Sequence, residues 1–252
     1  TARARVNASR AWVDQVASSG PPTVYGINTG FGIFSTKHIP ADLANRLSRN
    51  LIISHSIGLG EPFDDEIVRA AMLIRANTLA KGFSGIRSET LDTLIAMLNA
   101  GVHPIVPSQG SLGASGDLAP LSHLALVLSR DPDDDAQDSG EAAYLGKRMP
   151  GHVAMQRAGI KRRVLNAKEA LALNNGATFS AAIAALAVFD AENLLENSIV
   201  SLAMSLEALR SVSRAYDNHL HQVRQQLGQI EIAKRVRALI AGSTLIDSTD
   251  RV

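Results

Sequence analysis

The chain has 252 residues, and its 25 basic and 24 acidic side chains leave a formal net charge of only +1. This balance argues against a nucleic-acid or other polyanionic partner. Cysteine is absent, which excludes disulfides, thiolate nucleophiles and cysteine-ligated zinc, and suits a cytoplasmic protein.

The chain starts with the segment from Thr1 to Arg5, which has neither an initiator methionine nor an apolar signal region. No uninterrupted apolar run of about 18 residues follows it. We therefore expect a chain that begins inside a longer protein or has been trimmed, and that has no membrane-spanning segment.

Three segments of the first half show helical spacing of apolar residues. The first is Ile67 to Thr78, which follows an acidic start, and the second is Leu91 to Leu98, which Gly101 ends. The third is Leu118 to Leu128, where Pro120 is tolerable because it falls in the first turn.

Two segments interrupt this helical pattern, the glycine-rich Gly26 to Gly32 and the stretch from Arg130 to Arg163. Within the second, Asp131 to Asp135 is expected to be a solvated loop, and Ala143 to Lys147 to form a short strand or hairpin.

The later part of the chain, from Ala170 to about Leu227, is rich in alanine and leucine and free of proline, which predicts one or two long helices. Ala177 to Val188 is apolar nearly all round, so we expect it to be buried inside a helix bundle. The predicted fold is mainly α with a few short strands. We predict a domain over 1–165 and the start of a helical bundle over 166–252.

The densest chemical signal is the segment Gly110 to Leu121, in which three glycines and two serines precede an apolar helix. Taken alone, the pattern is typical of a flexible loop with a helix cap at Asp117. A phosphate-binding loop is disfavoured because no Gly-Lys-Ser/Thr follows.

This segment also resembles the signature of the aromatic amino acid ammonia-lyases, which act on histidine, phenylalanine or tyrosine. The resemblance implies that Ala114, Ser115 and Gly116 cyclise into 4-methylideneimidazol-5-one, a self-made electrophile. Glycine suits the position whose amide nitrogen attacks the alanine carbonyl, because it has no Cβ to obstruct the approach. Such an electrophile activates the amine as a leaving group, which no standard side chain does.

A second motif, Val24 to Gly32, is by itself typical of a strand end followed by a tight turn. It resembles the family motif Tyr-Gly-(Ile/Val)-Asn-Thr-Gly-Phe-Gly, which implies that Tyr25 is the catalytic base. A tyrosine with an ordinary pKa of about 10 needs a positive field for that role.

The third motif contains Ser54 and His55, and a lone histidine on an apolar helix is usually a core residue. In the family this pair selects the substrate ring, and Ser-His resembles the histidine-specific type. The resemblance implies that Ser54 and His55 bind substrate, with His55 able to bond an imidazole.

The fourth motif runs from Lys168 to Gly176, where a polar pair on an apolar helix could form a helix–helix hydrogen bond or accompany a kink. By register with the family, Asn175 rather than Asn174 contacts the substrate and the prosthetic group. Another matching element ends in Arg87, for which we expect a structural salt bridge rather than a substrate contact.

The resemblance covers nearly the whole chain and is closest to histidine ammonia-lyase. It implies the N-terminal part of the fumarase/aspartase-like helical fold, assembled as a homotetramer. The implied function is elimination of ammonia from L-histidine to give urocanate. The implied partner is the amino acid substrate, a small molecule, and no metal is implied. The alternatives are a phenylalanine or tyrosine ammonia-lyase, a 2,3-aminomutase, and a non-catalytic helical scaffold. Family members are about twice as long and bind the substrate carboxylate beyond the point that matches Val252, so we expect this chain alone to be inactive.

Overall fold

The computed structural model describes residues 1–19 and 22–248, and in this part of the chain helices dominate. Within residues 1–19 and 22–248 the ten α-helices are α1 (Ala2–Ser18), α2 (Ala44–His55), α3 (Asp65–Ala80), α4 (Ser88–Ala100), α5 (Leu118–Leu128), α6 (Gly151–Arg157), α7 (Glu169–Asn174), α8 (Thr178–Ala208), α9 (Asn218–Arg224) and α10 (Leu227–Leu239). Short 3₁₀ turns occupy Gly32–Phe34, Ala41–Leu43 and Ser213–Tyr216. The mainly helical fold predicted from the sequence is confirmed.

Five short strands form two small antiparallel sheets in the described residues. They are β1 (Leu59–Pro62), β2 (His103–Pro104), β3 (Pro107–Gln109), β4 (Glu141–Tyr144) and β5 (Lys147–Pro150). β1 pairs with β3, with Leu59 opposite Gln109, and the other sheet has the order β2-β4-β5. The hairpin of β4 and β5 confirms the strand or hairpin expected around Ala143 to Lys147.

The helix boundaries follow the capping signals in the sequence. Asp65 and Glu66 lie in the first turn of α3, where acidic side chains oppose the positive end of the helix dipole. Gly101 ends α4 in the left-handed conformation with a φ of 73°, which glycine adopts without a Cβ clash. Pro120 lies in the first turn of α5, as the sequence requires.

The chain divides into two compact units, residues 1–184 and 185–252, of which 249–252 lie outside the described residues. At the centre of the first unit is α5, which packs against α2, α6 and α7. Most of its side chains are buried, including Leu121, Leu124 and Leu128 at 0% exposure. This burial explains why α5 is apolar on nearly every side. The second unit has a smaller core of Ile199, Ala203, Val236 and Ile240.

The division between the units falls inside α8, later than the boundary predicted between 165 and 166. α7 and the first turns of α8 belong to the first unit, because Ala170, Leu173, Phe179 and Ala182 join its core. The predicted assignment of domains itself stays a prediction.

The long helices predicted from Ala170 to about Leu227 are divided more often than expected. α7 ends at Asn174, since Asn175 is extended and Gly176 has a φ of 143°, and the long helix begins only at Thr178. A second break follows Ala208, where the helix gives way to a turn and then to short helices. Alanine and leucine raise helix propensity, but they do not set where a chain must turn to pack.

The expected burial of Ala177 to Val188 is wrong for the single chain. In this segment only Thr178, Phe179 and Ala182 are buried, whereas Val188 is 58% exposed. Among the described residues α8 is long and apolar enough to cross a membrane, but core helices of other proteins share this length and mean hydropathy. Asp190, Glu192 and Glu196 lie near its middle, where acidic side chains are costly in a bilayer.

Candidate functional site

The glycine-rich segment that precedes α5 lies against the junction between α7 and α8. Gly116 and Gly176 form a parallel β-bridge, in which the amide of Asp117 donates to the Gly176 carbonyl at 3.0 Å. The Gly176 amide in turn donates to the Ser115 carbonyl at 3.3 Å. Ala114 and Ser115 are exposed. The triplet is therefore presented to solvent while its C-terminal end is held by a segment from elsewhere in the chain.

Gly116 occupies a position that other residues fit poorly. Its φ is 73°, in the left-handed region that favours glycine. A Cβ built there would lie 3.2 Å from Ala177 Cα and 3.2 Å from the Gly176 carbonyl oxygen. The absence of a side chain thus permits both the turn and the close approach of the two segments.

Asp117 is fully buried, and its carboxylate holds this arrangement together. It accepts a hydrogen bond from Ser111 Oγ at 2.6 Å, and bonds from both the backbone nitrogen and Oγ of Ser180 at 3.0 Å. The sequence predicted that Asp117 caps α5, but its side chain makes no such bond there. Instead it binds the first turn of α8, whose free N–H groups attract a carboxylate.

Asn175 lies directly beside this bridge, at the end of α7. It is exposed, whereas Asn174 is fully buried and donates through Nδ2 to Ser122 Oγ at 3.2 Å. The two asparagines therefore face different surroundings, and Asn175 is the one accessible to a small molecule. The Asn175 carbonyl accepts a bond from Arg75 Nη2 at 2.7 Å. Arg75 belongs to none of the sequence motifs described above.

Glu169 anchors the other end of α7 and is also fully buried. Its carboxylate accepts bonds from the backbone nitrogen and the guanidinium of Arg87, from Thr90 Oγ1 at 2.7 Å, and from the Asn166 amide at 2.9 Å. The salt bridge expected for Arg87 is confirmed. Since Asn175 directly follows α7, this network helps to fix the position of the candidate site residue.

Tyr25 lies at the surface with 53% of its side chain exposed, and its ring meets Phe31 edge-to-face at 6.3 Å. The next residue, Gly26, has a φ of 76°, and a Cβ there would lie only 2.6 Å from Leu171 Cδ2 on α7. Close packing of Gly26 on α7 therefore places the backbone of Tyr25 near the helix that Asn175 follows. The Gly26 amide donates a hydrogen bond to Thr29 Oγ1, with 3.1 Å between nitrogen and oxygen, and this bond stabilises the turn.

Ser54 and His55 lie at the end of α2 and line an open, mainly apolar cavity of about 390 Å³, to which Phe31 also contributes. His55 Nδ1 lies 2.9 Å from the Leu51 carbonyl oxygen, which can only accept, so Nδ1 carries the hydrogen. In the neutral ring this leaves Nε2 as an acceptor. Ser54 Oγ donates to the same carbonyl at 3.1 Å.

The candidate site residues form two groups in the structure. Tyr25, Ser54 and His55 are associated with Phe31, whereas the triplet lies with Asn175; no hydrogen bond among the described residues joins Tyr25 or His55 to the triplet. The groups are linked by α7 and by the segment that follows α2.

That second link is made at Gly58, three residues after His55. Its amide donates to His123 Nε2 on α5 at 3.1 Å, and its Cα lies 3.3 Å from where a Cβ of Gly110 would be. Burial lowers the pKa of His123, which favours the neutral ring that can accept this bond. The end of α2 is thereby held against the start of the glycine-rich segment.

Comparison with known proteins gives consistent matches along the chain. A family model described as aromatic amino acid lyase matches residues 1–252. A histidine ammonia-lyase of Alkaliphilus oremlandii is 51% identical over 243 residues, which cover 96% of this chain and 46% of that protein. The chain thus spans about half the length of the curated relatives it matches.

Solved structures share the fold over the same region. Histidine ammonia-lyase from Trypanosoma cruzi is 40% identical with a TM-score of 0.82, over 94% of this chain and 44% of that one. Phenylalanine aminomutase from Pantoea agglomerans is 31% identical with a TM-score of 0.85, over 97% of this chain and 45% of that one.

Proposed function

The chain belongs to the aromatic amino acid lyase family, and on that premise we propose that its whole protein is an ammonia-lyase that converts L-histidine to urocanate. The observation that carries the proposal is the pairing of Ser115 and Asp117 with Gly176, which leaves Ala114 and Ser115 exposed beside Asn175. Similarity to histidine ammonia-lyases, at 51% and 40% identity, favours histidine as the substrate.

The residues of the triplet fit the formation of 4-methylideneimidazol-5-one. The Gly116 nitrogen would bond to the Ala114 carbonyl carbon, and the Ala114 oxygen would leave as water with the amide hydrogens of Gly116 and Ser115. A second water would take the Ser115 hydroxyl and its Cα hydrogen. The left-handed backbone of Gly116 and its lack of a Cβ suit this approach. When formed, the group supplies an electrophile that assists departure of the amine.

In this proposal Tyr25 removes the β-proton of the substrate, because Tyr25 lies at the surface and the adjacent Gly26 packs against Leu171 of α7. His55 accepts a hydrogen bond from the substrate imidazole through Nε2, while its Nδ1 is occupied by the Leu51 carbonyl. Ser54 lies next to His55 in the same cavity, and Asn175 bonds the substrate from the opposite group.

We further propose that the whole protein is a cytoplasmic homotetramer, because α8 exposes apolar side chains that a partner helix would cover. These side chains are Ile183, Val188, Phe189, Leu194, Leu195, Val200, Leu202 and Met204. Apolar surfaces of this extent mark protein–protein contacts. Light scattering on the full-length protein tests the assembly, and a monomer at micromolar concentration would contradict it.

Intact mass spectrometry tests the prosthetic group. The folded protein should be lighter than its sequence by two water molecules, and a Ser115→Ala variant should retain the mass of its own sequence. An unmodified wild-type mass would favour a non-catalytic scaffold.

A substrate panel with the full-length protein tests the reaction. We expect urocanate from histidine, and no turnover by the 252-residue chain alone. Cinnamate from phenylalanine, without urocanate, would favour a phenylalanine ammonia-lyase. A β-amino acid product would favour an aminomutase, in line with the similarity to phenylalanine aminomutase.

A further inference from the structure

Arg75 on α3 is a buried cation at the junction of α7 and α8. Only 4% of the residue is exposed, and Nη2 donates to the Asn175 carbonyl at 2.7 Å. The guanidinium also lies close to Gly176, since a Cβ there would be 3.2 Å from Nη1 and 3.3 Å from Nη2. Arg75 therefore contacts both residues of the segment that pairs with the triplet.

The position of Arg75 is costly for a residue with only a packing role. Burial lowers its pKa to about 10, and the negative charge of Asp117 opposes this effect. No carboxylate lies within ion-pair distance of Arg75 in the described residues, and its Nε has no hydrogen-bond partner there. Burying a cation with so few direct partners is costly. What distinguishes Arg75 from the similarly buried Arg49 is its contact with the segment that pairs with the triplet.

A short chain of contacts leads from Arg75 to the triplet. Arg75 holds the Asn175 carbonyl, the next residue Gly176 donates to the Ser115 carbonyl, and the Asp117 amide donates back to Gly176. The first contact runs from a side chain to a backbone carbonyl, and the other two join backbone to backbone. A shift of the Asn175–Gly176 peptide would therefore displace the backbone on both sides of Gly116.

We propose that Arg75 is a positioning residue for the cyclisation of Ala114, Ser115 and Gly116. By fixing Asn175 and Gly176, its guanidinium holds the Gly116 nitrogen where it can reach the Ala114 carbonyl carbon. This inference rests on the proposed function, since it concerns the step that forms the prosthetic group.

The test compares Arg75 with Arg49, a matched control on α2. Arg49 is 3% exposed and its Nη2 likewise donates to backbone carbonyls, those of Gln137 at 2.8 Å and Asp138 at 2.7 Å. Arg75→Met, Arg75→Lys, Arg49→Met and Arg49→Lys are made in the full-length protein. The loss of two waters is followed by intact mass after synthesis, and folding by circular dichroism.

We expect Arg75→Met to lose water at least tenfold more slowly than Arg49→Met. Arg75→Lys should lose water at a rate between those of Arg75→Met and the wild type, because lysine keeps one charged donor. If Arg75→Met does not fold, Arg75→Lys is compared with Arg49→Lys. Water loss within twofold of the control would overturn the inference while leaving the proposed function intact. A wild type that loses no water would overturn both.

Hydrogen exchange gives a second readout that does not depend on cyclisation. In a Ser115→Ala background, Arg75→Lys should accelerate exchange at the Asp117 and Gly176 amides by at least tenfold, and Arg49→Lys should leave both unchanged. Equal exchange in the two variants would overturn the positioning role.

Discussion

Replacing Glu169 by alanine should destabilise the first unit of the chain by about 3–5 kcal/mol, the usual cost of removing one partner from a buried ion pair. The carboxylate is fully buried, while its partner Arg87 has a side chain that is 28% exposed. The Glu169→Ala change leaves the donors of Arg87, Thr90 and Asn166 without their acceptor. Partial exposure of Arg87 lets water reach part of the guanidinium, so we expect the lower half of this range.

The matched control is the pair of Glu141 and Arg148 at the surface, in which the arginine also donates to the carboxylate through two guanidinium nitrogens. Its side chains are 50% and 56% exposed, so Glu141→Ala should cost no more than about 1 kcal/mol. Urea denaturation followed by the fluorescence of Trp12, the single tryptophan, measures both variants in the first unit. Equal destabilisation by the two substitutions would refute the assignment of Glu169 as the anchor of α7.

Two further predictions concern the backbone and pH. Gly85→Ala should lower the free energy of unfolding by about 2–4 kcal/mol, because φ at Gly85 is 69° and the new Cβ would overlap Val13. At Gly101 a new Cβ would meet open space, so Gly101→Ala should cost only about 1–2 kcal/mol for its left-handed backbone. Equal losses in a denaturation assay would contradict this. Burial lowers the pKa of His123 in the folded protein below its unfolded value of about 6.5. The hydrogen bond that its ring accepts from the Gly58 amide therefore contributes fully to folding stability above pH 6.5. This contribution is lost as the pH falls through the folded pKa. The protection factor of the Gly58 amide against hydrogen exchange should fall over that range. An unchanged protection factor, or the same pH step in His123→Gln, would contradict the assignment.

Local sequence determined much of this protein. The helices of the first half and their ends follow from apolar spacing and from residues such as Gly101 and Pro120, because these signals act within one or two turns. The glycine-rich segment was also identifiable from sequence, and the resemblance it carries is confirmed by the family match. The roles of Tyr25 and His55 stay predictions.

Only the tertiary structure decided how the candidate site is assembled. Asp117 was expected to cap the helix that follows it, yet it binds the start of α8 at Ser180. Arg75 reaches Asn175 across 100 residues of sequence, and no local pattern on α3 distinguishes it from an exposed arginine. The apolar pattern of α8 predicted burial, but in the single chain that helix is largely exposed. Periodicity and capping report the preferences of neighbouring residues, whereas these contacts depend on which distant segments the packed core brings together.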